Sequence, residues 1–156
     1  MKISVKDFVY VLIQLILFAL FLFEIRILQF SIPKYIESLS IALLLLSIIF
    51  LLVAFLQLNK YLSPFPTPVK NSKLITNGVF AISRHPIYTA IIVGTLSLGI
   101  LLGSGYKVVL AVVFMFFFYF KTNYEEKKLE EQFPEYKDYK KKTGRFFTLF
   151  LFKQKE

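Results

Sequence analysis

Four apolar runs separated by polar connections dominate this chain of 156 residues. The first two runs cover residues 8–23 and 39–58, and each is long enough for a helix that crosses a bilayer core of about 30 Å. We predict helices over about residues 7–30 and 39–58, joined through Pro33, because proline disrupts a helix interior. The first run is too long for the apolar segment of a signal peptide and no cleavage pattern follows it, so we interpret it as a retained anchor.

The third and fourth runs predict a tight helical hairpin. A Gly-Ser-Gly sequence lies between them, which favours a turn. The predicted helices cover residues 87–102 and about 106–133, and the second is limited by Pro134. The apolar part of each rises only about 22 Å, so either two thin spans or a hairpin that enters the bilayer and returns fits the pattern. In both cases the two open ends of the hairpin lie on the same side.

Two segments are too polar for the bilayer interior. Residues 59–83 hold three prolines at alternate positions, which favours extended backbone. Residues 121–156 mix acidic and basic side chains, and we expect them to continue the fourth helix and then form a helical cap. The apolar stretch 146–152 is expected to dip into the membrane interface. The prediction is a single all-α membrane domain over residues 1–156 with about four transmembrane helices.

Composition narrows the class of protein. Hydrophobic residues make up 56% of the chain and the mean hydropathy is +0.63, which is typical of an integral membrane protein. There is no cysteine and one histidine, which argues against disulfides, cysteine nucleophiles and a His-rich metal site. The net charge of +9 lies mostly outside the apolar runs, so we expect contact with membrane lipids and not with nucleic acid.

The basic residues also orient the predicted helices. With a cytosolic N-terminus, sixteen of the 19 lysines and arginines fall on the cytosolic side. Because basic residues accumulate on the cytosolic side of membrane proteins, we predict that both termini are cytosolic.

Candidate chemistry lies at the two open ends of the hairpin. Arg84 and His85 precede Pro86, which suits a first helical turn whose free amides attract anions. The alternative is that Arg84 and His85 only anchor the helix at lipid phosphates. Glu125 follows the other helix and is expected near this corner, where opposite charges would hold a zwitterionic ligand. Glu126 is expected to be solvated.

Five short motifs occur in a fixed order over residues 71–147, and together they resemble the isoprenylcysteine carboxyl methyltransferase family and the related phospholipid N-methyltransferases. They are Leu74-Ile75, Gly78-Val79-Phe80, Arg84-His85-Pro86-Ile87-Tyr88, Glu125-Glu126-Lys127-Lys128-Leu129, and Tyr136 and Tyr139 followed by Arg145.

The resemblance implies S-adenosylmethionine as the cofactor, bound at the cytosolic end of the helices. The cofactor-binding residues that it implies are Ser72, Lys73, Leu74, Ile75, Phe80, His85, Pro86, Ile87, Tyr88 and Glu125. Phe80 lacks the hydroxyl group that is common at its position in the family, and Ala90 replaces a family glycine. Where the enzymes that methylate prenylated cysteine have a substrate-binding arginine, this chain has Lys121, which keeps the charge but loses the two-pronged geometry.

Methyl transfer to a carboxylate needs orientation of the acceptor and no general base. We predict a lipophilic acceptor with Lys121 or Arg145 as its cation, and catalytic candidates His85, Arg84 and Arg145. An amine acceptor would need a base, for which His85 and Glu126 are candidates. A phospholipid amine methyltransferase, an NADPH-dependent membrane reductase and a non-catalytic lipid-binding protein remain alternatives.

Overall fold

The computed structural model describes residues 3–26 and 28–147, and within these ranges the chain is helical. Helices α1 (Val5–Leu22), α2 (Lys34–Leu58), α3 (Val79–Ile82), α4 (Pro86–Leu101), α5 (Gly105–Gln132) and α6 (Tyr136–Lys142) follow in order. A 3₁₀ turn, Asn59–Tyr61, extends α2. The prediction of an all-α membrane fold is confirmed. Lys2 and most of the predicted interfacial stretch 146–152 lie outside the described residues.

Among the described residues, three helices are long and apolar enough to cross a bilayer: α1, α2 with its 3₁₀ turn, and α5. Helix α4 has 16 residues and is shorter, as the apolar run predicted. Helix α5 has 28 residues and rises about 42 Å, more than the bilayer core needs. It therefore carries its polar C-terminal turns out of the apolar region, in agreement with the predicted continuation of the fourth helix.

Two predicted helix boundaries were wrong. Helix α1 ends at Leu22 and not near Phe30, because the polar Glu24 and Arg26 follow and the next segment pairs elsewhere. The Leu28 carbonyl accepts a hydrogen bond from the amide of Gly105, so this segment lies along the α4–α5 turn. Helix α2 begins at Lys34, five residues earlier than predicted.

The start of α2 follows from proline chemistry. Pro33 has extended backbone with ψ of 153° and caps the helix from outside it. A proline next to the first turn costs no intrahelical hydrogen bond. The helix therefore begins directly after the proline, although its first turn is polar.

Helix α4 packs against both α2 and α5, and α1 packs against α5. Phe114 and Phe118 of α5 are fully buried in the cluster that joins α1, α4 and α5. The turn between α4 and α5 needs Gly103, whose φ of +60° favours glycine. This hairpin brings the first turn of α4 and the last turns of α5 to one end of the bundle.

Candidate functional site

A cavity of about 510 Å³ opens at that end of the bundle. Its lining comes from α1, α2, the connection before α3, the α3–α4 corner, α5 and α6. All but one of the residues predicted to form the site line this cavity: Ser72, Lys73, Leu74, Ile75, Phe80, Arg84, His85, Pro86, Ile87, Tyr88, Lys121 and Glu125. The exception is Arg145. The fold thus brings together residues that are up to about fifty positions apart in the sequence.

The lining has an apolar part, an aromatic part and a polar part. The apolar part comes from membrane helices and includes Phe18, Leu51, Phe55 and Ile91. The second part, which we call the aromatic compartment, consists of Leu74, Phe80, Leu129, Phe133, Tyr136 and Tyr139. The polar residues are those of the α4 corner and of α5. A cavity of this size with few polar groups is typical of a small-molecule site.

Glu126 lies beside the cavity at the centre of a group of basic side chains, which we call the Glu126 cluster. Arg84 donates from Nε and Nη2 to its Oε1 at 3.0 and 2.9 Å, and His85 Nε2 lies 3.3 Å from the same oxygen. Lys140 Nζ is 3.2 Å from Oε2, and Arg145 Nε is 3.4 Å from Oε1. The Glu126 side chain is 2% exposed, so the expectation that it is solvated was wrong. This face of α5 turns toward the α4 corner and the tail, which the sequence around it does not reveal.

Arg84 is fixed by the protein on every side. Besides Glu126, its guanidinium donates to the backbone carbonyls of Lys140 and Thr143, and its side chain is 7% exposed. Its amide donates to the Gly144 carbonyl at 3.0 Å. The alternative that Arg84 only anchors the helix at lipid phosphate was therefore wrong. Its bonds tie α4, α5 and the tail together, and few of its donors are left for a substrate.

Glu125, the neighbour of Glu126, has a different environment. The Tyr88 hydroxyl donates to its Oε2 at 3.0 Å, and His85 Nδ1 lies 4.0 Å from the same oxygen. Its side chain is 22% exposed and lines the cavity. A carboxylate has about four acceptor positions, so Glu125 has capacity for a ligand.

Tyr88 is held in place by aromatic stacking. Its ring lies between those of His85 and Phe118, at centroid distances of 5.6 and 4.5 Å and nearly parallel to both. Pro86 occupies the first turn of α4, as predicted, and His85 precedes it outside the helix. The hydroxyl that contacts Glu125 is therefore on a rigid support.

Lys121 is fully buried and reaches the cavity one turn before Glu125. Its ammonium donates to Gln14 Oε1 of α1 and to the Pro64 carbonyl, and lies 5.1 Å from the centroid of Tyr88. An ammonium has three hydrogens, so one donor remains beyond these two bonds. Gln14 was not predicted as a site residue, although it is the one polar interruption of the first apolar run.

The segment before α3 closes one side of the cavity. Thr67 donates to the buried Asp7 of α1 at 2.8 Å, and Gln132 of α5 donates to the Val69 carbonyl and to Ser72 at 3.3 and 3.0 Å. These bonds hold the proline-rich segment across the helices; the segment is not helical, and its backbone bends over residues 64–67. The prediction did not include the four-residue helix α3.

Comparison with known proteins places this geometry in context. A family model described as phospholipid methyltransferase matches residues 36–136, which is more than half of the chain. Two curated proteins are similar over 79 residues, which is 50% of this chain and 37% of their own length. They are the cobalt-zinc-cadmium resistance protein CzcN of Cupriavidus metallidurans, 34% identical, and the nickel-cobalt-cadmium resistance protein NccN of Alcaligenes xylosoxydans xylosoxydans, 33% identical.

Proposed function

The chain belongs to the phospholipid methyltransferase family, and from that premise we propose that it is a membrane enzyme that uses S-adenosylmethionine to methylate a lipophilic acceptor. The observation that carries the proposal is the cavity, whose lining combines the Glu125 carboxylate with the aromatic compartment and with apolar side chains of the membrane helices. A polar cofactor and an apolar acceptor need adjoining surfaces of these two kinds.

The described residues fit S-adenosylmethionine. Glu125 offers unused acceptor positions for the ammonium group of the amino-acid portion, and the aromatic compartment offers flat apolar surface for the base. The residues that would hold the cofactor are Ser72, Lys73, Leu74, Ile75, Phe80, His85, Pro86, Ile87, Tyr88 and Glu125. When bound, S-adenosylmethionine supplies an activated methyl group together with its leaving group.

The protein's own contribution is alignment in a site with little water. Tyr88 fixes the Glu125 carboxylate, and the stacked rings of His85 and Phe118 fix Tyr88. The Glu126 cluster holds the α4 corner against α5. Such fixed geometry increases the rate of a displacement reaction, because the reacting groups must be in line before the methyl group moves.

We propose that the acceptor is a carboxylate on an apolar group, of the isoprenylcysteine type. Lys121 has one hydrogen that neither Gln14 nor the Pro64 carbonyl uses, and it reaches the cavity beside Glu125. A carboxylate is already ionised at neutral pH, so it requires a cation to orient it and no base. The apolar side chains of α1, α2 and α4 would contact the rest of the acceptor.

A phospholipid amine is the second candidate acceptor, and the geometry of His85 favours it. An ionised Glu126 has no hydrogen to donate, so His85 Nε2 donates to it; the neutral tautomer that makes this bond has its lone pair on Nδ1, which lies 4.0 Å from Glu125 Oε2. An amine must lose a proton before it attacks, and Nδ1 is placed to accept one. The description of the matching family model also names phospholipid.

Titration calorimetry of the full chain in detergent tests the proposal. We expect saturable binding of S-adenosylmethionine and none of NADPH, which is the cofactor of the alternative reductase function. Absence of S-adenosylmethionine binding by protein that still unfolds cooperatively would contradict the proposal, and binding of anionic lipid alone would favour a non-catalytic role.

A methyl-transfer assay distinguishes the acceptors. With S-adenosylmethionine labelled in the methyl group and a membrane extract, a carboxylate acceptor gives a methyl ester, which mild alkali hydrolyses to volatile labelled methanol. An amine acceptor gives an N-methyl product that alkali leaves intact. We expect the alkali-labile product.

We also propose that both termini and the cavity face the cytosol, since most of the basic residues lie at this end of the helices. The chain has no cysteine, so single substitutions introduce unique labels. A membrane-impermeant maleimide added to sealed vesicles with the cytosolic face outward is expected to label Lys60→Cys and to leave Lys34→Cys unlabelled. The reverse pattern would invert the topology.

A further inference from the structure

The hydroxyl group of Tyr136 is buried and forms no hydrogen bond within the described part of the chain. Tyr136 is the first residue of α6, is 1% exposed and lines the cavity. Buried hydroxyls in proteins nearly always have a partner, since a buried polar group without one is costly. The cavity is the place from which such a partner can come.

Tyr139, three residues later, is a tyrosine in the same surroundings whose hydroxyl forms a hydrogen bond within the protein. It is also buried and lines the cavity, and its ring meets that of Tyr136 edge to face at 5.7 Å. Its hydroxyl donates to the Phe80 carbonyl. The two tyrosines therefore differ in whether the protein already uses the hydroxyl.

The surroundings of Tyr136 indicate the role of the hydroxyl. Burial and, after it, the negative charge of Glu126 raise the pKa of Tyr136, so its hydroxyl keeps its proton and can donate. Tyr136 belongs to the aromatic compartment, which offers ring and apolar surface and few other polar groups. A flat heteroaromatic group with acceptor atoms suits such a surface.

We propose that the Tyr136 hydroxyl donates a hydrogen bond to the nucleoside of the bound cofactor, and that the nucleoside occupies the aromatic compartment while the amino-acid portion reaches Glu125. This inference rests on the proposed function. It gives the cofactor a direction in the cavity, with its base against α6 and its reactive centre beside Glu125, Tyr88 and Lys121.

Calorimetry with two ligands tests the contact. S-adenosylhomocysteine carries both portions of the cofactor, and methylthioadenosine carries the nucleoside without the amino acid. We expect Tyr136→Phe to weaken binding of both ligands by the same factor of about five, the value of one neutral hydrogen bond. We expect Glu125→Gln to weaken S-adenosylhomocysteine alone.

Thermal unfolding without ligand is the control for structural damage. Tyr136→Phe breaks no hydrogen bond within the described protein, so its unfolding temperature is expected to equal or exceed that of the wild type. Tyr139→Phe removes the same atom from the neighbouring ring and leaves the Phe80 carbonyl without this donor, so it is expected to unfold at a lower temperature.

Several results would overturn the inference. Unchanged affinity of Tyr136→Phe for both ligands, or unfolding as early as Tyr139→Phe, would mean that the hydroxyl is satisfied by water or by the protein. If Tyr136→Phe weakened the binding of S-adenosylhomocysteine alone, or if the wild type did not bind methylthioadenosine, the nucleoside would lie elsewhere. Failure of the wild type to bind either ligand would instead remove the proposed function, and this inference with it.

Discussion

Glu125 and Glu126 are adjacent on α5 and chemically identical, yet they lie in opposite environments. Glu126 has a side chain that is 2% exposed and contacts Arg84, His85, Lys140 and Arg145. Glu125 is 22% exposed, lines the cavity and accepts one hydrogen bond, from Tyr88, among the described residues. A rotation of about 100° along the helix separates a saturated carboxylate from one that has capacity for a ligand.

This difference shows that conspicuous charge is a poor guide to which residue binds a ligand. Arg84 and Glu126 carry the strongest interactions of the site, and their partners in these interactions are other groups of the protein. The Glu126 cluster joins four parts of the chain: the α4 corner, α5, α6 and the tail after α6. We regard it as the support that holds Tyr88 and Glu125 in position, and the variants below test that division.

The largest expected effect is the loss of stability of Glu126→Gln. The substitution leaves Arg84, 7% exposed, beside a neutral group, and breaking a buried ion pair from one side costs about 3–5 kcal/mol. Thermal unfolding in detergent should show a clearly lower transition. The matched control is Glu130→Gln, which loses a partly exposed pair with Lys140 worth about 0–1 kcal/mol. Equal unfolding temperatures for the two variants would contradict a supporting role for the Glu126 cluster.

Glu125→Gln is expected to have the complementary effect. It removes a charged acceptor from the cavity wall, so the affinity for S-adenosylmethionine should fall about tenfold to a hundredfold. The unfolding temperature without ligand should stay close to that of the wild type, because Gln still accepts from Tyr88. Calorimetry and thermal unfolding on the same preparation check both statements. If Glu125→Gln unfolded at a lower temperature and bound S-adenosylmethionine normally, Glu125 would have the supporting role that we assign to Glu126.

Much of the fold could be predicted from the sequence, because the membrane helices follow from apolar patterns that are visible there. Apolar runs of sufficient length predict the membrane helices, and the Gly-Ser-Gly turn predicts that the ends of α4 and α5 meet. Pro86 marks the start of α4. The end of α1 was missed, because the apolar Leu28 and Phe30 suggest that the run continues, although they pair with the α4–α5 turn.

The environment of each charged residue could not be predicted in the same way. Glu126 looks like its neighbour in a polar stretch, and its burial depends on where the tail after α6 returns to the α4 corner. Gln14 was visible as a polar residue in an apolar run, but its contact with Lys121 depends on how α1 lies against α5. Such contacts join residues 56 to 107 positions apart, and no local pattern encodes them.

Variants of Lys121 test whether a second polar residue of the cavity lining, besides Glu125, contacts the acceptor. If its free hydrogen orients a carboxylate, Lys121→Met should lower kcat/KM for such an acceptor about tenfold or more, while the affinity for S-adenosylmethionine changes much less. Lys121→Arg keeps the positive charge and is expected to retain most of the rate. A methyl-transfer assay with both variants decides the matter. An undiminished rate in Lys121→Met would favour the amine acceptor.

The smallest effect is expected for Arg145, which sequence analysis placed among the catalytic and substrate-binding candidates. The structure places it outside the cavity lining, with its guanidinium 3.4 Å from Glu126 and 4.9 Å from the Tyr119 ring centroid. Because it is 20% exposed and its contacts are longer than those of Arg84, Arg145→Gln should cost about 1 kcal/mol or less in stability.

The same variant should bind S-adenosylmethionine and transfer methyl groups within about a factor of two of the wild type, since small surface effects rarely exceed that. Arg84→Gln is its matched comparison, because it changes a more buried member of the Glu126 cluster and should unfold much earlier. If Arg145→Gln instead lost methyl transfer at an unchanged unfolding temperature, Arg145 would act on the acceptor. Arg145 would then belong with the cavity residues that bind a ligand, and not only with the Glu126 cluster.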